Sequence, residues 1–191
     1  AAERTLRLAL EQPPDGLVGF GLAGAEAGVA RPDYAWAFDE AIAAGLRSVP
    51  HAGEGDGPES VRAALHDLRA ERIGHGVRAI EDPALVAELA ERRVPLEVCP
   101  SSNVCTRVYE RFEDHPIADL IDAGVVVTIN TDDPHMFGTD LSEEYRRLSR
   151  AFGFGVPGLA RLVVNGIEAS FLPADRRRRL VAEVAEVATG R

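Results

Sequence analysis

The feature that most constrains this chain is an alternation. Short apolar runs, Leu17–Phe20, Leu46–Val49, Arg72–Gly74, Val94–Val98 and Val125–Ile129, are each followed by a stretch with helical spacing. Those stretches are Asp33–Gly45, Pro58–Ala70, Pro83–Arg92, Pro116–Gly124 and Leu141–Phe152. Strands alternating with helices predict βαβ units and a parallel sheet. The unit recurs about every 25 residues, with one longer interval before Val125 and no residue-level repeat. Punctuation agrees with this reading. Pro58 and Pro83 stand where helices open, with Asp82 as a cap, and Gly45 and Gly124 stand where helices close. The tail from Gly158 to Arg191 reads as two helices around Phe171-Leu172-Pro173. No linker or low-complexity stretch divides the chain, so residues 1–191 are expected to form one domain.

Two architectures fit: an open doubly wound sheet, or part of a (β/α)₈ barrel. The placement of polar residues separates them. Every strand ends in chemistry: Ala23-Gly24-Ala25-Glu26, His51-Ala52-Gly53-Glu54, His75-Gly76, Pro100-Ser101-Ser102-Asn103 and Thr131-Asp132-Asp133-Pro134. An open sheet gathers its site at one switch point, whereas a barrel collects side chains from many strand ends around one mouth. The pattern is the barrel's.

Composition excludes several partners. A net charge of -10 disfavours a nucleic-acid polymer but not a small neutral ligand. The run Arg176–Arg179 reads as a solvated helix face. Two cysteines make no disulfide framework, no apolar leader opens the chain, and no run nears the roughly 20 apolar residues that span a bilayer. A cytoplasmic protein without membrane contact is expected.

Taken singly, the strand-end residues have bland readings. His51 is a satisfied structural histidine, His75 between two glycines marks a close backbone approach, and Asp132-Asp133 is a cap and turn into Pro134. Trp36 and Tyr34 read as helix packing. Taken together they read differently. Gly53 and Gly55 let the chain fold back, so that His51 and Glu54 can face one point. Adjacent carboxylates at a buried strand end need a cation or a proton to relieve them. Imidazole and carboxylate are zinc ligands, a spare glutamate can move protons, and a spare histidine can orient water. Neither a cytidine-deaminase zinc motif nor a dinucleotide site is supported: there is no Pro-Cys-x-x-Cys, and no helix start follows the glycines at Gly19, Gly21 and Gly24.

The ordered series Gly21-Leu22-Ala23-Gly24-Ala25-Glu26, His51-Ala52-Gly53-Glu54, Arg72-Ile73-Gly74-His75-Gly76, Leu96-Glu97-Val98-Cys99-Pro100-Ser101-Ser102-Asn103 and Asn130-Thr131-Asp132-Asp133-Pro134 closely resembles the adenosine deaminase family over nearly the whole chain. The resemblance implies a partial (β/α)₈ barrel, about strands four to eight with C-terminal helices. It implies one Zn²⁺ per site, with His51 and Asp132 as ligands. Glu54 would give a proton to purine N1, His75 would steady the hydroxide that attacks C6, and Asp133 would bond the attacking oxygen and the ring. The main-chain N–H of Gly24 would meet N3. Adenosine is the first expected substrate, with adenine and aminodeoxyfutalosine as alternatives. There are departures. Acidic residues common in the family are replaced by Gly21 and Ala25, and the stretch His135–Leu141 looks like bacterial members. The family's first-strand His-x-His pair is missing, so an N-terminally incomplete domain is expected, and a catalytically incompetent fragment is the competing reading. His66, read as mid-helix, and His115 are expected as surface or capping residues. Five strands without the rest of a barrel should expose edges and self-associate.

Overall fold

The computed structural model describes residues 2–190. Strand β1 (Gly19–Phe20) pairs in parallel with β2 (Arg47–Ser48). Strands β3 (His51–Ala52), β4 (Ile73–His75), β5 (Leu96–Val98) and β6 (Val127–Ile129) form a parallel four-stranded sheet in that order. β2 and β3 are halves of one line, interrupted at Pro50, which has no N–H to donate. The line continues across the break: Val49 N donates to Phe20 O (3.0 Å), His51 N to Leu22 O (2.8 Å) and Gly74 N to Pro50 O (3.0 Å). Five strand lines therefore lie side by side in chain order, without the order reversal of a doubly wound sheet.

The strands are shorter than the apolar runs that announced them, for a local reason. Val94 N donates to Leu89 O (3.1 Å) and Val125 N to Leu120 O (3.0 Å), so these residues close the preceding helices before any ladder begins.

The helices are α1 (Ala2–Glu11), α2 (Ala35–Ala43), α3 (Pro58–His66), α4 (Pro83–Arg92), α5 (Pro100–Cys105), α6 (Ile117–Asp122), α7 (Pro134–Phe137), α8 (Leu141–Phe152), α9 (Val156–Ala169) and α10 (Ala174–Ala188). All seven expected helices are present. Asp82 caps α4, accepting from Ala84 N (2.9 Å) and Leu85 N (3.2 Å). Three were not foreseen. α1 is amphipathic but buries only Leu6, α7 is a single turn, and α5 is spelled with poor helix formers after Pro100. His66 is the last residue of α3 rather than a mid-helix one.

The core lies between sheet and helices. Ile73, Leu96, Val98 and Val127 pack against Val61, Leu65, Leu85, Leu89, Ile117, Leu120, Leu148 and Leu162. A smaller cluster joins Leu6, Phe20, Phe38, Ala41 and Leu68. Tyr34 packs on that cluster, while Trp36 is 44% exposed beside α1. Arg176, Arg178 and Arg179 are exposed on α10, the solvated face expected. Among the described residues, β1 and β6 each pair on one side only. Asn165 Nδ2 of α9 donates to Val127 O of β6 (2.9 Å). An apolar groove of about 510 Å³ runs between α9 and α10, lined by Leu159, Val163, Leu180 and Val184 among others. Among the described residues, no helix is long and apolar enough to cross a membrane.

Candidate active site

The strand ends that carry the polar residues lie on one side of the sheet. His51 begins β3 and stands opposite Gly74 of β4. A Cβ at position 74 would fall 2.8–2.9 Å from Cγ, Cδ2 and Nδ1 of His51, so glycine is required for the ring to lie there. One ring nitrogen, His51 Nδ1, is buried without a hydrogen-bond partner. The His75 ring is next to it, with centroids 5.3 Å apart.

After β3 the chain turns at Gly53 (φ +67°), and the next residue is Glu54. The turn is clamped from an earlier loop. Glu26 Oε2 accepts from Glu54 N (2.9 Å) and Asp56 N (2.7 Å). Glu26 Oε1 accepts from Arg31 (2.6 Å), and Arg31 also donates to His51 O (3.2 Å). Both members of this ion pair are buried.

His75 Nε2 lies 3.5 Å from Glu54 Oε2 and 3.8 Å from Asp132 Oδ2. His75 (φ +59°) and Asp132 (φ +55°) both take the left-handed backbone region that side chains disfavour. Such strain persists where surrounding structure holds it, and it clusters at functional sites. Burial, reinforced by the neighbouring His51, lowers His75 to about 4, so its imidazole is neutral near pH 7. Burial raises the Glu54 carboxyl from its ordinary value. Asp132 adds to the rise, while the Thr106 hydroxyl and His51 oppose it.

The short helix α5 and Thr106, the residue that caps its end, support all three groups. Ser102 Oγ donates to Asp132 Oδ2 (2.7 Å), Asn103 Nδ2 approaches His75 Nδ1 (3.2 Å), and Thr106 Oγ1 lies 3.2 Å from Glu54 Oε1. The start of α5 is pinned in turn by α8: Glu144 accepts from Ser101 N (3.2 Å), and Arg147 donates to Ser101 Oγ (2.7 Å).

The remaining expected residues, Asp133 and Gly24, border this cluster. Asp133 diverges from Asp132. Its carbonyl accepts from Phe137 N (3.0 Å), and its carboxylate is exposed, with no hydrogen bond among the described residues. Gly24 lines a narrow cleft of about 90 Å³ with Leu22, Glu26, Tyr34 and His51. A Cβ there would meet nothing within 4 Å, so its φ of +107° calls for glycine rather than any shortage of room.

A metal suits this donor set. His75, Cys99 and Asp132 present ligand atoms within 4.8 Å of one another. Cys99 is a poor ligand as it stands, because burial among Asp132, Glu97 and Glu144 drives its thiol far up and keeps it protonated. His75 has Nδ1 engaged by Asn103. His51 is not in that group, but it has a buried nitrogen without a protein partner, and Asp132 is oriented by Ser102. Nitrogen with carboxylate oxygen is a set that zinc accepts.

The sequence model of the family described as adenosine deaminase matches residues 1–187. The chain belongs to the adenosine deaminase family. An aminodeoxyfutalosine deaminase of Streptomyces coelicolor is 57% identical over 186 residues, which are 96% of this chain and 48% of the relative. The chain thus spans about half the length of that relative. The crystal structure of an adenine deaminase from Arthrobacter aurescens superposes with a TM-score of 0.93 at 36% identity, over 98% of this chain and 57% of that one. A Burkholderia ambifaria amidohydrolase solved with bound Zn superposes at 0.87 and 24% identity, over 100% of this chain and 55% of that one; it speaks for the fold alone. The fold is accordingly a partial (β/α)₈ barrel.

Within this adenosine deaminase fold, the side chains of His51, Glu54, His75 and Asp132 come together, and Gly24 lies on the His51 side. Sequence reasoning placed Glu26, Ser102 and Asn103 among the strand-end residues without giving them a role, and it missed Arg31 and Thr106. The charge of Glu26 in a loop of small residues was the available signal. His115 was expected as a surface or capping residue. It does cap, accepting from Ile117 N through Nδ1 (3.2 Å), but it is buried, because its other nitrogen is held by Asn103 (3.1 Å).

Proposed function

We propose that residues 1–191 form the site-bearing domain of an enzyme that hydrolytically removes the exocyclic amine of an aminopurine, with one zinc ion per site. One observation carries the reading. A neutral imidazole, a carboxyl group with raised proton affinity and a second carboxylate meet within 3.5–3.8 Å at the ends of neighbouring strands. His51 and Asp132 would hold the metal. When bound, zinc supplies Lewis acidity that makes water nucleophilic near neutral pH.

The chain's own groups do the rest. Glu54, whose burial favours the protonated form, gives its proton to ring N1 and so makes C6 electrophilic. His75 Nε2 faces the space between Glu54 and Asp132 and steadies the oxygen that adds to C6. Asp133 would bond that oxygen and the ring, and Gly24 N–H would meet N3. Of the two protons that the water brings, one returns to Glu54 and the other passes to the amine; C6=O forms as the C6–N bond breaks, and the amine leaves as ammonia.

Aminodeoxyfutalosine is the first substrate to test, ahead of adenosine and adenine. The relative named for it is 57% identical, against 44–47% for relatives named adenine deaminase. Free Cys99 and Cys105 accord with a cytoplasmic setting.

The test is ammonia release from these three compounds by zinc-loaded protein. The expected order puts aminodeoxyfutalosine first, and faster release from adenosine or adenine would replace it as substrate. A second reading has its own support. The five histidines include no His-x-His pair, and the chain spans 48% of its relative. On that reading the chain binds metal weakly and releases no ammonia from any of the three.

A further inference from the structure

A buried chain of hydrogen bonds runs from the main chain of α6 to His75. Ile117 N donates to His115 Nδ1 (3.2 Å), His115 Nε2 lies 3.1 Å from Asn103 Oδ1, and Asn103 Nδ2 lies 3.2 Å from His75 Nδ1. All three side chains are at most 3% exposed. A backbone N–H can only donate, and this fixes the direction of everything after it. His115 Nδ1 must accept, so the proton of the neutral ring sits on Nε2. Asn103 Oδ1 accepts that proton's hydrogen bond, which turns the amide NH₂ toward His75. His75 Nδ1 must then accept in its turn.

We propose that Asn103 and His115 are positioning residues that hold His75 in the Nε2–H tautomer, with its one proton aimed at the reacting oxygen. A second observation agrees. His75 Nε2 faces the Asp132 carboxylate, with Oδ2 at 3.8 Å, which favours a proton there over a lone pair. Because Nδ1 of each ring accepts a hydrogen bond, each ring keeps its one proton on Nε2, and burial holds His115 neutral, lowered to about 3. A free imidazole offers either tautomer, and only one presents a donor to the developing negative charge. The chain from Ile117 makes that choice before substrate arrives.

The catalytic consequence rests on the deaminase reading of His75, but the tautomer does not, and the two are measured separately. The first measurement is the nitrogen NMR spectrum of the substrate-free chain labelled with ¹⁵N-histidine, the His75 signals being assigned by their loss in His75→Gln. The expected spectrum shows a pyridine-type Nδ1 and a pyrrole-type Nε2 for His75, and the same pair for His115. In Asn103→Asp the carboxylate can only accept, so His75 Nδ1 is expected to become pyrrole-type. A parent His75 with its proton on Nδ1, or averaged between both nitrogens, overturns the proposal. So does an Asn103→Asp spectrum with His75 unchanged.

Should Asn103→Asp fail to fold, the His115 pair decides. His115→Gln keeps an N–H donor toward Asn103 and retains the His75 tautomer. His115→Leu removes the donor, frees the amide to flip and loses the tautomer; identical His75 signals in the two variants overturn the proposal. The second measurement is turnover. Loss of one oriented donor lowers kcat about 10²–10³-fold with KM little changed, and His115→Gln restores what His115→Leu loses. Tautomer loss without a fall in kcat would leave the positioning intact and contradict the role given to His75.

Discussion

At the scale of single residues, Asp132 and Asp133 show how one peptide step separates two environments. Asp132 takes a strained left-handed backbone (φ +55°) and receives Ser102, whereas Asp133 faces solvent beside α7. Asp132→Ala is expected to lower zinc occupancy, and Asp133→Ala to keep the metal and slow turnover; metal titration beside the parent reads both. An Asp133→Ala variant that empties the site would reverse the assignment. His115 makes a second prediction. Its folded pKa of about 3 lies below the ordinary 6.5, so between those values the unfolded chain binds more protons than the folded one. The stabilisation is present above pH 6.5 and is lost as pH falls toward 3. Between pH 6.5 and pH 5 this amounts to about 1–2 kcal/mol, at about 1.4 kcal/mol per unit. Urea unfolding across that range should show a flatter pH profile for His115→Gln than for the parent, and parallel profiles would contradict the burial. The four residues that the fold gathers, His51, Glu54, His75 and Asp132, were legible because histidines and carboxylates at strand ends are conspicuous. His115 was not, because its spelling before Pro116 is that of any cap, and only the fold brings it to Asn103.

At the scale of elements, the strand–helix rhythm was legible down to the Asp82 cap, because burial on one face of each helix imposes its spacing on the sequence. α5 was not. Pro100-Ser101-Ser102-Asn103 lacks an apolar stripe, and its first four residues are buried in polar and tertiary contacts, so no period betrays it. That same composition lets α5, with its cap Thr106, offer Ser102, Asn103 and Thr106 to three site groups. The loop after β1 has a comparable duty. Glu26 and Arg31 bracket the Glu54 turn, and removing one partner leaves the other buried and uncompensated. Glu26→Ala is expected to cost about 3–5 kcal/mol in denaturant unfolding and to impair turnover by releasing Glu54. A cost below about 1 kcal/mol, within the range of exposed ion pairs, would mean that the bracket is unimportant.

At the scale of the whole molecule, the arrangement is five neighbouring strand lines of a barrel, with β1 and β6 each paired on one side among the described residues. Val187 is 77% exposed at the apolar groove between α9 and α10. Contiguous apolar surface of this kind favours association, so sedimentation is expected to show a mass that rises with concentration, and Val187→Glu to reduce it. A concentration-independent monomer would contradict this. The central claim is that the strand-end cluster deaminates an aminopurine by means of the Glu54 proton. Zinc content and ammonia release, measured on the same preparations of parent and Glu54→Gln, test it most directly. The account predicts ammonia from the parent, a loss of about 10²–10⁴-fold in the variant and equal zinc in both. A parent that holds zinc and releases no ammonia, or a variant as active as the parent, would contradict it.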